Sequence, residues 1–184
     1  MTTDALHRRS AVGDAELARV RAALDALTDP EIPVVTLAEM GILRAVRVAA
    51  DDPTLVEVVI TPTYSGCPAM AQIADDVQAT LARLGVAARV TTQLAPAWTT
   101  DWMSDAAREK LRAYGIAPPG RCHDDGPAPG ERVLRFVQRA PQPVACPHCG
   151  STHTREVSHF GSTACKALYQ CLDCREPFDH FKPH

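Results

Sequence analysis

The chain has 184 residues, is 46% hydrophobic and carries a formal net charge of −3, which fits one domain of ordinary size with a small appendage. The mildly acidic balance argues against a dedicated nucleic-acid binder, and no run approaches the roughly 18 apolar residues of a membrane span. The polar first ten residues hold Asp4, Arg8 and Arg9 with no apolar stretch behind them, so no secretory signal is read, and the seven cysteines are expected in a reducing cytoplasm rather than in a disulfide framework.

Residues 14–28 have the spacing of an amphipathic helix, with Leu17, Val20, Leu24 and Leu27 three and four residues apart. Asp14 is its expected cap. Asp29-Pro30-Glu31-Ile32-Pro33 ends it, because each proline disfavours helix in the residue before it. Residues 42–49 and 55–61 read as strands, and Asp51-Asp52-Pro53 as the turn of an antiparallel hairpin. Residues 68–84 predict a second helix with Met70, Ile73, Val77, Leu81 and Leu84 on one face and Gly85 as its stop. A third strand is expected over 86–94. A third helix is expected over 104–114, capped by Ser104 and stopped by Gly115. This order predicts an α+β fold, a small mixed sheet with helices on one face. Trp98 and Trp102 are expected in the core; an exposed pair would mark a partner patch.

Residues 118–130 change to Pro, Gly, Asp and Ala and read as a linker; residues 132–138 could add a strand. The expected domains are 1–117, a connecting segment 118–139, and a cysteine-rich module over 140–184.

That module holds two knuckles, Cys146-Pro147-His148-Cys149 and Cys171-Leu172-Asp173-Cys174, with 21 residues between them. Two CxxC pairs supply four thiolates for a tetrahedral metal, a zinc-ribbon-like four-cysteine site. A segment so poor in large apolar side chains needs such a staple, since metal-binding energy is also folding energy. Iron, or a [4Fe–4S] cluster, is the other occupant that four thiolates allow. Residues 141–184 are neutral, Arg155, Lys166, Arg175 and Lys182 against Glu156, Asp173, Glu176 and Asp179, unlike a ribbon that grips phosphates. Cys165 is expected as a small buried residue, with a ligand or reactive thiol beside Lys166 as the alternative. His148, His153, His159, His180 and His184 are candidates for ligand exchange, and His148 is expected to face solvent.

Thr61-Pro62-Thr63-Tyr64-Ser65-Gly66-Cys67-Pro68 joins a strand end to a helix start. Cys67 is expected at the N-cap with Pro68 at N1, where unpaired N–H groups and the helix dipole favour a reactive, metal-binding thiolate; an ordinary cap is the alternative. Glu31 could approach this loop, and Glu31 and Glu39 are weighed as ligands or acid/base groups against plain solvated turns. GxGxxG, Walker, GxSxG and HExxH patterns are absent.

Asp29-Pro30-Glu31-Ile32-Pro33, Leu37-Ala38-Glu39-Met40-Gly41-Ile42, Thr61-Pro62 and Cys67-Pro68 resemble the small domain of SufT-like iron–sulfur assembly proteins. Trp98-Thr99-Thr100-Asp101-Trp102-Met103-Ser104, Tyr114-Gly115-Ile116-Ala117-Pro118-Pro119 and the cysteine tail resemble the D subunits of bacterial phenylacetyl-CoA epoxygenase (PaaD or PaaJ). The resemblance implies an accessory, non-catalytic component in aerobic phenylacetate breakdown. It would mature or repair a metal centre in a reductase or oxygenase partner, with Cys67 and Glu31 touching transient iron or cluster and zinc on Cys146, Cys149, Cys171 and Cys174. No pair of Glu-x-x-His motifs on helices, the di-iron signature, is read in the sequence. An electron carrier with iron in the four-cysteine site and a purely structural zinc-ribbon subunit are the competing readings. Exposed sheet edges leave a homodimer open.

Overall fold

The computed structural model describes residues 10–64, 66–120 and 143–183. They fall into two compact units, Met1–Pro96 and Ala97–His184.

The first unit opens with α1 (Asp14–Asp25). Gly13, not Asp14, is its N-cap, and the Gly13 carbonyl accepts from the N–H groups of Glu16 and Leu17. Asp14 and Glu16 lie in the first turn, where carboxylates complement the helix dipole. The helix stops three residues before the expected Thr28. The chain has turned to pair with residues further on: Leu37 N–H donates to the Leu27 carbonyl at 2.8 Å, and Thr28 bridges Thr36. β1 (Leu43–Val48) and β2 (Val56–Ile60) form the expected antiparallel pair, with a bulge between Leu43 and Ala45. α2 (Met70–Arg83) then carries the chain over to β3 (Ala88–Thr92), which lies parallel to β2. The sheet order β1-β2-β3 is therefore mixed, with β2 in the centre.

α1 packs on β1 and on α2, and α2 packs on β3. Val20 and Leu24 of α1, Ile73, Val77 and Leu81 of α2, and Val56, Val58 and Ile60 of β2 are all buried. Complete burial of Val or Leu side chains like these is worth about 1.5–3 kcal/mol each, so this core holds the unit without help from a metal.

The second unit begins with a 3-10 turn, Thr100–Trp102, followed by α3 (Asp105–Ala113). Ser104 caps α3 as expected, accepting the Ala107 N–H at 3.0 Å. Gly115 adopts φ +91°, the left-handed stop that glycine permits. The chain then forms a two-residue strand, β4 (Ile116–Ala117), followed in the described residues by β5 (Thr154–Ser158), β6 (Lys166–Cys171) and β7 (Pro177–Phe181). The sheet order is β4-β7-β6-β5, with β4 parallel to β7 and the other neighbours antiparallel. Trp98 is buried, with its ring 6.0 Å from that of Phe181, whereas Trp102 is half-buried.

The division at Pro96 differs from one drawn after residue 117 on composition, because the 97–117 segment shares a sheet with the ribbon through β4. The expected linker beyond Gly120 and the 132–138 strand lie outside the described residues.

Candidate functional site

The two knuckles come together at one end of the β5–β6–β7 sheet. Cys146 Sγ is 3.8 Å from Cys174 Sγ, Cys149 Sγ is 3.6 Å from Cys171 Sγ, and all four sulfurs lie within 4.8 Å of one another. A tetrahedral ion with metal–sulfur bonds of about 2.3 Å needs sulfur–sulfur edges of about 3.8 Å. The thiols therefore already stand at the corners that a single ion requires. The tetrad has the geometry to hold one metal ion. Cys146 and Cys171 are its buried half, and Cys149 and Cys174 are exposed.

Local backbone geometry explains the arrangement. After the second cysteine of each knuckle the chain turns through a left-handed residue, Gly150 at φ +76° and Arg175 at φ +70°. The turns are closed by Gly150 N–H to the Cys146 carbonyl and by Cys171 N–H to the Glu176 carbonyl. The folded-back chain aims backbone N–H groups at sulfur. Those of Cys174 and Asp173 hold the Cys171 thiol at about 7 despite burial. The Glu176 N–H acts in the same sense on Cys174, but partial desolvation of its sulfur and hydrogen bonds with the thiols of Cys171, Cys149 and Cys146 outweigh it and push Cys174 up to about 12. One sulfur is thus ready as a thiolate, and crowding disfavours further thiolates until a cation arrives.

Asp173 clasps the two knuckles. It accepts from the Ser151 hydroxyl, and its other oxygen lies 2.9 Å from His153 Nδ1. Of the remaining histidines among the described residues, His148 is exposed as expected, His159 pairs with Glu156 at 3.3 Å and His180 is buried in β7. Neither these histidines nor Cys165 belongs to the sulfur cluster. Cys165 is buried, with its sulfur 3.0 Å from Thr163 Oγ1.

In the first unit Cys67 is half-buried and stands two residues before the N-cap of α2, which is Ala69. The expected N-cap position is displaced because Pro68 and Ala69 form a preliminary turn, closed by Met70 N–H to the Cys67 carbonyl at 3.4 Å. Cys67 N–H in turn donates to the Tyr64 carbonyl. Glu31 sits in a tight turn where its N–H, with that of Ile32, donates to Asp29 Oδ1 at 2.8 and 2.9 Å. Glu39 is committed locally. Its carboxylate accepts the Thr36 N–H while Thr36 Oγ1 accepts the Glu39 N–H, a capping box.

A relative from Escherichia coli (strain K12), named as the D subunit of 1,2-phenylacetyl-CoA epoxidase, is 41% identical over 180 residues, covering 96% of this chain and 99% of that protein. This chain belongs to the phenylacetyl-CoA epoxidase D-subunit family. The family profile described as the PaaD zinc beta ribbon domain matches residues 131–182, and the profile described as an iron–sulfur cluster assembly protein matches residues 17–92. Among solved structures, a domain of unknown function from Bacillus anthracis is 27% identical, covers 53% of this chain and 92% of its own, and superposes with a TM-score of 0.47. A Mycobacterium tuberculosis protein described as associated with [Fe-S] complex assembly and repair is 27% identical, covers 60% and 94%, and has a TM-score of 0.33. No helix among the described residues is long and apolar enough to cross a membrane.

Within this D-subunit chain, sequence reasoning overlooked the Asp173 clasp and the contribution of β4 to the wall of the metal site. The equivalent placing of Gly150 and Arg175, each just after a CxxC, was the available signal for paired knuckles. A two-residue strand leaves no periodicity to read.

Proposed function

We propose that this protein is a cytoplasmic accessory subunit of a phenylacetyl-CoA epoxidase system, and that it assists maturation or repair of an iron or iron–sulfur centre in a partner subunit, the reductase or the oxygenase. The observation that carries the reading is the position of Cys67. It is a partly exposed thiol at the head of α2, inside the region that matches iron–sulfur cluster assembly proteins, in a chain that matches an epoxidase subunit over nearly its whole length. A thiolate there binds iron or cluster iron as cargo and releases it by ligand exchange, since thiolate is the metal-binding form of cysteine. Glu31, half-buried in its Asp29 turn, is the second donor assigned to the cargo.

Zinc is assigned to Cys146, Cys149, Cys171 and Cys174. A cluster places its cysteines on separate metal atoms and needs a wider spread of sulfur, whereas this tetrad suits one ion. Bound zinc supplies no redox chemistry; it holds the ribbon folded and so presents the partner-docking surface.

Replacing Cys67 with Ser tests the reading. In cells carrying Cys67→Ser the protein should accumulate normally while the purified reductase or oxygenase contains less iron than normal. A fully loaded partner would sink the proposal. The exposure of Cys149 and Cys174 supports a second reading, in which the same four sulfurs hold iron and pass electrons. Protein purified without oxygen should be colourless with one equivalent of zinc; visible thiolate-to-iron bands would favour the electron carrier.

A further inference from the structure

Ala117 of β4 lies in one buried cluster with Cys146, Cys171 and Phe178, and Val144 and Tyr169 pack against it. Two of the four metal ligands therefore form part of the pocket that receives β4. Ile116 of the strand is buried and Arg108 of α3 donates to the Pro119 carbonyl at 2.6 Å, but the strand's hold on the sheet is short. Its ladder to β7 consists of the pairs Ile116 with Asp179 and Ala117 with His180, far short of what a strand needs to persist by itself. The first knuckle makes a second contact with the same stretch. A Cβ on Gly115 would fall 3.3 Å from His148 Cε1 and 3.8 Å from its Nε2, so the imidazole lies directly on the turn between α3 and β4. α3 packs against β4, and a helix of nine residues is marginal unless its apolar face is covered.

The tetrad itself depends on an ion. A shared ion bonds to all four sulfurs, which lie within 4.8 Å of one another, and so ties the two knuckles together far more strongly than the contacts between the sulfurs alone. We infer that the metal on Cys146, Cys149, Cys171 and Cys174 is the folding ligand of the described residues 97–120 as well as of 143–183, so that α3 and β4 dock only on a metal-loaded ribbon. The metal-linked span thus extends beyond residues 131–182, which match the ribbon profile, to a segment that neither family profile covers. The inference rests on metal binding by the tetrad and is independent of what Cys67 does.

Hydrogen exchange read by mass spectrometry on the full-length protein tests it. The zinc-loaded form is compared with protein stripped by a chelator under reducing conditions. Amides of residues 107–117 should exchange at least about tenfold faster after stripping and recover on addition of zinc. Amides of β2 and α2 in the first unit should not change. Persisting protection of residues 107–117 in the stripped protein, whether or not β5–β7 stay protected, would overturn the inference. Linkage is reciprocal, which gives a second measurement. Ala117→Asp in the full chain should weaken zinc binding about tenfold, read by competition with a chromophoric chelator. Unchanged affinity in a variant whose first unit keeps its normal exchange pattern would count equally against it.

Discussion

At the scale of single residues, the two knuckles solve the same turn with unequal means. Gly150 takes its left-handed conformation without cost, whereas Arg175 holds φ +70° with a full side chain, a conformation that costs an ordinary residue about 1–2 kcal/mol. Arg175→Gly should therefore raise the unfolding free energy of the zinc-loaded ribbon by about 1 kcal/mol, less what glycine adds to the entropy of the unfolded chain. Gly150→Ala should lower it by a similar amount, and chelator-dependent unfolding curves would show both. His180 supplies a pH dependence. It is 8% exposed in β7, and burial, opposed weakly by Glu156, holds its imidazole at about 4 against an ordinary 6.5. Between those values the unfolded chain binds a proton that the folded chain refuses. The stability contributed by neutral His180 is complete above pH 6.5 and is lost as pH falls towards 4, by up to about 3 kcal/mol. Metal-bound thiolates lose stability in the same direction, so the measurement is a difference. His180→Gln should show a shallower decline from pH 7 to pH 4.5 than the unsubstituted protein, and parallel curves would refute the assignment.

At the scale of elements, helices with strong caps and stops were readable, and elements defined by partners far along the chain were not. Ser104 and Gly115 bracket α3 in sequence and in structure because both act locally, through a side-chain acceptor and a left-handed turn. Ser104→Ala should cost about 1 kcal/mol, read as a lower thermal midpoint for the second unit alone. Asp14 and Cys67 show the limit of local reading. Asp14 is a good cap by residue type and Cys67 directly precedes a proline suited to N1, yet Gly13 and Ala69 are the caps, since the preceding loops fix where the backbone enters the helix. The end of α1 was hidden for a related reason: Leu27 and Thr28 continue the helical spacing but are taken by Leu37 and Thr36, a tertiary pairing that overrides propensity. The sulfur tetrad was legible because CxxC spacing is itself the geometry. The clasp of Asp173 on Ser151 and His153 was not, since it exists only once the knuckles meet.

At the scale of the whole molecule, the 97–117 segment decides how the chain is cut. Composition changes at Pro118, which is why a boundary there is attractive. Packing places the division at Pro96, because the buried side chains of Trp98, Met103, Leu111, Ile116 and Ala117 belong to the second unit. A fragment ending at residue 96 keeps a complete core of α1, α2 and the three-stranded sheet, and should unfold in one cooperative transition that chelators do not shift. A fragment ending at residue 117 carries the same core plus a capped helix, two tryptophans and a two-residue strand deprived of β7. The exposed apolar surface should make it aggregate or bind a hydrophobic dye, and Trp98 should emit as a solvent-exposed indole. If the longer fragment were instead monomeric with buried tryptophan and a higher melting temperature than the shorter one, the segment would belong to the first unit, and its docking on the ribbon could not depend on metal.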